Sequence, residues 1–153
     1  MSASYEFTSK SQLQTAVDLW CSDEASANSI YGEINTWDVS NITLFSSLFE
    51  GKTAFNSDIS GWDVSSGTDF AEMFSGATLF NQDIGSWDVS NGEEFFAMFE
   101  KAISFNQDIG NWDVGNGTNF TEMFLDAEKF NQDIGDWDVS NAYYFDGMFE
   151  NAK

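Results

Sequence analysis

Two columns of aspartates are the groups in this sequence that could do chemistry. One column follows a Trp and the other precedes an Ile, and within each column the residues are 25 positions apart. The columns are Asp38, Asp63, Asp88, Asp113 and Asp138, and Asp58, Asp83, Asp108 and Asp133. Carboxylates gathered in this way could bind Ca²⁺, which takes roughly six to eight oxygen ligands. A pair of them could also hydrolyse a glycoside.

Each Asp could equally accept backbone N–H groups within its own turn, and this structural role needs no ligand. A calcium ion shared between neighbouring repeats would use Asp58, Asp63, Asp83, Asp88, Asp108, Asp113, Asp133 and Asp138. The Gly-rich nonapeptide that is typical of calcium-binding β-rolls is absent from the sequence. We therefore favour the structural role, keep weak calcium binding as the alternative, and expect no other cofactor.

Catalysis has little support in the residue types. The sequence contains no His, so a Ser-His-Asp or Cys-His arrangement cannot form and a zinc site would lack its commonest ligand. The aspartates are equivalent by position, and no repeat is singled out among them. We expect a protein that is not an enzyme and has no catalytic residues.

The charge of the chain limits its partners. Asp and Glu number 26 against 5 Lys and Arg, which gives a net charge of −21. Such a chain repels phosphate backbones and anionic headgroups, so we expect neither nucleic acid nor membrane as a partner. The sequence begins Met-Ser-Ala-Ser-Tyr-Glu-Phe without the basic and apolar regions of a signal peptide. The expectation is a protein that is cytoplasmic as made or part of a virion, and extracellular only by another route.

A repeat of 25 residues organises the chain. Its clearest sign is a column of tryptophans, Trp37, Trp62, Trp87, Trp112 and Trp137. The unit reads F-N-Q-D-I-G-x-W-D-V-S-N-x-x-x-F-x-x-M-F-x-x-A-x-x. Trp and Val alternate with polar residues, which predicts a short strand and places the Trp column in the core. Phe95, Met98, Phe99 and Ala102 recur at the spacing of one helix face, which predicts a two-turn helix.

These patterns predict an α/β solenoid of right-handed, leucine-rich-repeat-like coils. Each coil would combine a short parallel strand with a short helix, and residues 34–153 would form about five coils as one folding unit. Residues 1–33 would form an N-terminal helical cap, in which Ser9 and Gln12 mark the start of one helix. A second helix is expected from about Asp23 to Tyr31, and Cys21 is expected to be buried.

The last coil is predicted to be an assembly end. Met148 and Phe149 belong to its apolar positions, and no capping sequence follows them. An uncovered coil exposes apolar side chains and unpaired backbone groups. We expect either self-association at this end or docking on a protein or particle surface.

The repeat resembles a known family. Phe-Asn-Gln-Asp-Ile-Gly-Ser-Trp-Asp-Val-Ser-Asn at 80–91 and Met-Phe-Ser-Gly-Ala at 73–77 are similar to the BspA-like surface-protein repeats. These are also described as Mycoplasma-type repeats of unknown function, and they occur in bacteria, marine algae and some phages. The resemblance covers residues 34–153. It implies a leucine-rich-repeat-like solenoid, adhesion or protein binding at surfaces, and no catalytic residues.

Two functions follow as expectations. The first is a non-catalytic recognition or adhesion module that binds a protein or surface partner through the face of the solenoid. The alternative is a structural virion or assembly subunit, for example a phage decoration or fibre-associated protein, that docks through its last coil or its acidic flank.

Overall fold

Two helices open the chain in the computed structural model, which describes residues 4–153. Helix α1 spans Lys10–Ser22, helix α2 spans Glu24–Tyr31, and a 3-10 turn spans Ile34–Thr36. The buried face of α1 consists of Leu13, Ala16, Val17 and Trp20. No helix among the described residues is long and apolar enough to cross a membrane.

Both helix starts lie at side chains that cap them. Ser9 accepts the amide N–H of Gln12 at 3.2 Å, and Asp23 accepts that of Ser26 at 3.1 Å. These bonds satisfy amide groups that have no partner within a helix. Gly32 ends α2 with φ 77°. The predicted helices of the cap are therefore present, although its residues 1–3 lie outside the described part of the chain.

The remainder of the chain is a stack of units that repeat every 25 residues and contain no α-helix or sheet. We define unit 1 as 34–54, unit 2 as 55–79, unit 3 as 80–104, unit 4 as 105–129 and unit 5 as 130–153. From residue 37 to 153 the chain forms neither a helix nor a β-strand. The β-bridges between successive units are isolated and parallel, at Leu44, Asp69, Glu94, Asn119 and Tyr144.

The predicted right-handed α/β solenoid of leucine-rich-repeat-like coils is therefore wrong. The segment expected to be a helix consists of successive turns, with Met98 N–H donating to Phe95 and Ala102 N–H donating to Phe99. Ala97 and Lys101, the third residues of these two turns, have φ of 49° and 54°. Left-handed residues at this spacing end any α-helix. Two consecutive turns produce the same apolar spacing that predicted a helix.

The segment expected to be a strand is also a pair of turns. The amide N–H of Trp87 donates to the carbonyl of Ile84 at 3.1 Å, and that of Gly92 donates to Val89 at 2.8 Å. Between them Asp88 accepts the amide N–H of Ser90. The backbone amide there bonds to a nearby side chain and not to a neighbouring strand. Asp and Ser disfavour strands because their side chains compete for backbone hydrogen bonds in this way.

Alternate peptide groups in the turn segment join the units along the stack. In unit 3 the amide N–H groups of Phe95, Ala97, Phe99 and Lys101 donate to carbonyls of unit 4 at 2.8–2.9 Å. The same four positions donate forward from units 1, 2 and 4. In units 2, 3 and 4 each accepting carbonyl belongs to a peptide group whose own N–H donates to the following unit. Four chains of hydrogen-bonded peptide groups therefore run the length of the stack.

Stacked aromatic rings fill the space inside the units. Phe99 lies parallel to Phe74 and to Phe124, with centroids 5.6 Å apart on both sides. The five tryptophans of the repeat are buried. The indole N–H of Trp87 donates to the carbonyl of Ile59 in the preceding unit at 3.2 Å. The indole N–H of each of these buried tryptophans has an acceptor, which avoids the cost of burying an unpaired donor.

Replacing Lys101 by Gly tests the turn assignment. Lys101 has φ 54° and is exposed, and Gly removes a left-handed strain of about 1–2 kcal/mol at the expense of about 0.5–1 kcal/mol of chain entropy. We expect Lys101→Gly to leave the free energy of unfolding unchanged or to raise it by up to about 1 kcal/mol.

The control is Ser104→Gly, because Ser104 does not have a positive φ and its side chain makes no hydrogen bond among the described residues. Urea unfolding should show a loss of about 0.5–1 kcal/mol for this control. An equal loss in Lys101→Gly would contradict the turn and favour a helix.

Candidate functional site

All nine aspartates of the two columns accept a backbone N–H from the residue two positions later. In the first column Asp88 accepts the amide of Ser90 at 3.0 Å, and in the second Asp83 accepts the amide of Gly85 at 3.0 Å. The seven others, Asp38, Asp58, Asp63, Asp108, Asp113, Asp133 and Asp138, bond in the same way. Each carboxylate therefore closes its own turn, as the structural role requires.

The serine hydroxyl strengthens this bond in several units. The Oγ of Ser90 donates to Asp88 at 2.6 Å. The hydroxyl bond, followed by the backbone bond, lowers the pKa of Asp88 below its ordinary value because both favour the ionised form. The pKa of Asp38 is lowered in the same way by Ser40.

The geometry gives the calcium hypothesis no support. Among residues 4–153 no three acidic or Cys side chains gather closely enough to hold a metal ion. Asp58, Asp63, Asp83, Asp88, Asp108, Asp113, Asp133 and Asp138 are instead engaged in their separate turns. Calcium binding by these residues stays a prediction.

The asparagines that open the units link neighbouring units. Asn81 donates its amide N–H to the side chain of Asn56 at 2.9 Å, and Gln82 donates to the backbone carbonyl of Asn56 at 3.0 Å. The bonds repeat from Asn106 and from Asn131 to the unit before. This ladder satisfies backbone groups at the corner of the stack and leaves its side chains engaged.

Cys21 lies in a cleft of about 350 Å³ between α1 and residues 51–57, where unit 1 meets unit 2. The prediction that it is buried is wrong, because the residue is exposed at the edge of the apolar face of α1. Packing around its sulfur raises the pKa of the thiol, and this outweighs the opposing effect of Lys52. A raised pKa keeps the sulfur in its less reactive thiol form at neutral pH.

The two ends of the stack differ in hydrogen-bonding character. Toward the C-terminus, the amide N–H groups of Phe145, Gly147, Phe149 and Asn151 occupy the positions that donate forward in every other unit. Within residues 4–153 none of these four amides has an acceptor. We call these amides, with the side chains of Phe145 and Phe149, the donor face.

The apolar part of the donor face is exposed where its equivalents are buried. Phe149 is 49% exposed and Phe145 is 42% exposed, whereas Phe124 and Phe120 are fully buried. Each ring of the donor face stacks on one side only, Phe145 on Phe120 at 5.7 Å and Phe149 on Phe124 at 5.6 Å. Phe149, one of the two residues of the predicted assembly end, is therefore exposed at the surface of unit 5.

Met148, the other predicted residue of the assembly end, is 8% exposed. Its carbonyl accepts the N–H of Phe124, so it faces the preceding unit. The sequence analysis did not predict a role for Phe145. The signal that could have indicated it is the column of Phe residues at the same 25-residue spacing, Phe45, Phe70, Phe95 and Phe120.

At the other end, α1 covers two of the four acceptor carbonyls of unit 1. The Nζ of Lys10 donates to the carbonyl of Ser46, and the Nε2 of Gln14 donates to that of Leu48 at 3.1 Å. These carbonyls occupy the positions that receive amides in later units. Lys10 and Gln14 therefore replace a preceding unit, and the sequence patterns did not predict this role.

Removing the Ser90 hydroxyl should raise the pKa of Asp88. In Ser90→Ala the hydroxyl bond is lost, and we expect the pKa to move up toward the ordinary value of about 3.9. Because the folded pKa is lowered, the turn contributes stability above the unfolded pKa and loses it as the pH falls through the folded pKa. The variant should lose less stability between about pH 4 and pH 2 than the parent.

A carboxyl-detected NMR titration measures this pKa. Ser86→Ala is the matched control, since the Ser86 side chain is exposed. An Asp88 pKa that is the same in both variants would contradict the role of the hydroxyl.

Removing the Lys10 ammonium should loosen the cap. Lys10→Met keeps the aliphatic stem and deletes a charged donor to a backbone carbonyl, which stabilises by about 1.5–3 kcal/mol when well formed. We expect a loss of about 1–2 kcal/mol in the free energy of unfolding after partial solvation of the carbonyl. Lys129→Met, at an exposed site, is the control, and equal urea midpoints for the two variants would refute the capping role.

The comparisons with known proteins agree with the repeat. Residues 21–119 and 93–153 match the family described as Mycoplasma protein of unknown function, DUF285. No curated protein matches the sequence, and no solved structure matches it. The two matched segments include every unit of the stack. The chain belongs to this Mycoplasma-type repeat family.

Proposed function

We propose that the chain is a non-catalytic module that recognises a protein partner and binds it through the lateral face of its stacked units. The observation that carries the proposal is the regularity of the stack, in which the Phe and Trp columns are buried and the residues between them line an extended exposed surface. Stacked repeats typically present such a continuous surface to a protein partner.

The rest of the surface favours the same interpretation. The polar groups of the Asp and Asn columns are already engaged within the stack, so they are poorly placed to change partners during a reaction. The net charge of −21 keeps the flanks of the module soluble and disfavours unspecific contacts. The finer resemblance of the repeat to BspA-like surface proteins supports adhesion as the setting in which the partner is met.

A structural assembly subunit is the second candidate, because the same exposed face suits a permanent contact in a virion or filament. Self-association is the property that separates the two functions. A recognition module waits for a different protein and stays monomeric, whereas a subunit that polymerises through its own end forms oligomers whose mass rises with concentration.

Light scattering coupled to size exclusion decides between them. In about 0.5 M NaCl, where the Debye length is only about 4–5 Å and repulsion between copies is screened, we expect a mass of 17.1 kDa at all concentrations. A discrete oligomer or a growing polymer would overturn the recognition module in favour of the assembly subunit. Phe149→Asp would then restore the monomer if the donor face were the contact, and the exposed flank variant Leu79→Asp would not.

A further inference from the structure

Asn-Gly pairs occur at two places in the sequence, Asn91-Gly92 in unit 3 and Asn116-Gly117 in unit 4. An asparagine before Gly is chemically labile, because Gly has no side chain to hinder the approach of its backbone nitrogen to the asparagine. That nitrogen loses its proton to hydroxide and attacks the Cγ of the asparagine. A C–N bond forms, Nδ2 takes up a proton and leaves as ammonia, and water then opens the cyclic imide to aspartate or isoaspartate.

Both glycines lie against the Phe column and are buried. A Cβ added to Gly92 would lie 2.5 Å from Cζ of Phe95, and one added to Gly117 would lie 2.4 Å from Cζ of Phe120. Carbon atoms approach so closely only if the ring moves. The labile pairs therefore lie at the wall of the core and not on a free loop.

The fold engages the nitrogen that would attack. The amide N–H of Gly92 donates to the carbonyl of Val89 at 2.8 Å, and that of Gly117 donates to Val114 at 2.8 Å. Base-catalysed hydrogen exchange removes the same proton, and a buried, bonded amide exchanges only after its surroundings open. Deamidation at these pairs must therefore also wait for the turn to open.

The amide that would leave is bonded to the preceding unit. The Nδ2 of Asn91 donates to the carbonyl of Ser65 at 2.8 Å, and that of Asn116 donates to Ser90 at 2.7 Å. These bonds restrain each side chain against turning toward the nitrogen of the following Gly. One hydrogen bond within the turn and one between units thus restrain the two reacting groups separately.

We propose that Asn91 and Asn116 are deamidation sites that the folded stack keeps unreactive and that react when the turns of units 3 and 4 open. The product prevents the units from rejoining as before. An aspartate has no proton to donate to the carbonyl of Ser65 or Ser90, and it places negative charge beside that carbonyl. Isoaspartate also adds a methylene group to the main chain, which disturbs the spacing of 25 that aligned units need. Reaction therefore makes an opening of the middle units permanent.

The test compares the folded chain with the same chain in denaturing urea, at one mildly alkaline pH. Peptide mapping by mass spectrometry follows the conversion of each asparagine. We expect Asn91 and Asn116 to react at least about tenfold more slowly in the folded chain than in urea. Asn41 and Asn141 are the controls within the chain, because they occupy the same position of units 1 and 5 and are followed by residues other than Gly. In urea both controls should react more slowly than the two proposed sites.

Hydrogen exchange of the ¹⁵N-labelled chain measures the opening independently. The amides of Gly92 and Gly117 should exchange at least about tenfold more slowly in the folded chain than in urea, since both reactions remove the same proton. Fast exchange at these amides in the folded chain would contradict the protection by the turn.

An aspartate at position 91 tests the effect of the product. Asn91→Asp removes the bond to Ser65 and adds a charge, whereas Ser66→Asp adds the same charge at the equivalent position of unit 2, where there is no side-chain amide to lose. We expect Asn91→Asp to lower the urea midpoint more than Ser66→Asp does. The deamidation rates of the parent chain do not depend on how either variant folds.

Three results would overturn the inference. Equal deamidation rates of Asn91 and Asn116 in the folded chain and in urea would show that the stack does not protect them. Faster conversion of Asn41 or Asn141 in urea would show that the sites are assigned wrongly. Equal urea midpoints for Asn91→Asp and Ser66→Asp would show that the product does not separate the units.

Discussion

Four chains of peptide hydrogen bonds determine the rest of this structure. Every second peptide group of the turn segment points along the stack, accepting from the unit before and donating to the unit after, as Glu94 and Phe95 do in unit 3. Such chains persist only if equivalent residues stay in line, so each unit must contain the same number of residues. The invariant spacing of 25 is the consequence. The parallel stacking of Phe74, Phe99 and Phe124 follows from the same alignment, since rings on equivalent residues take equivalent positions.

The sequence correctly predicted the features that depend on the repeat length. It failed where two different backbone conformations produce the same spacing of apolar residues. The 25-residue period and the helix starts at Ser9 and Asp23 follow from residue types whose local preferences are strong. The stripe of Phe95, Met98, Phe99 and Ala102 matched a helix, yet it also fits two consecutive turns that each contain a left-handed residue. Ala97 and Lys101 gave no warning, because neither residue type favours that conformation. Only in units 1, 2 and 5 does Gly occupy one of these positions, as Gly51, Gly76 and Gly147.

The candidate site was predicted as a set of side chains, whereas its distinctive chemistry lies in the backbone. Aspartates in columns suggested calcium, but in this fold an Asp followed two residues later by Ser or Gly closes a turn, and this satisfies the carboxylate locally. The direction in which peptide groups point cannot be read from residue types, because every residue carries the same donor and acceptor. Phe149 could be predicted as exposed from its place in the last unit. That its own amide and three neighbouring amides form a row of donors required the structure.

The direction of these peptide chains also explains why the N-terminal and C-terminal ends of the stack have different surroundings. A stack of aligned peptide groups has an acceptor end and a donor end, and each end needs a cover of the opposite character. At the acceptor end two of the four carbonyls are covered within the chain, by Lys10, one of only 5 Lys and Arg residues, and by Gln14. The donor end carries exposed Phe145 and Phe149 beside its amides. The helical cap therefore stabilises unit 1 by giving two of its carbonyls side-chain donors in the place of a preceding unit.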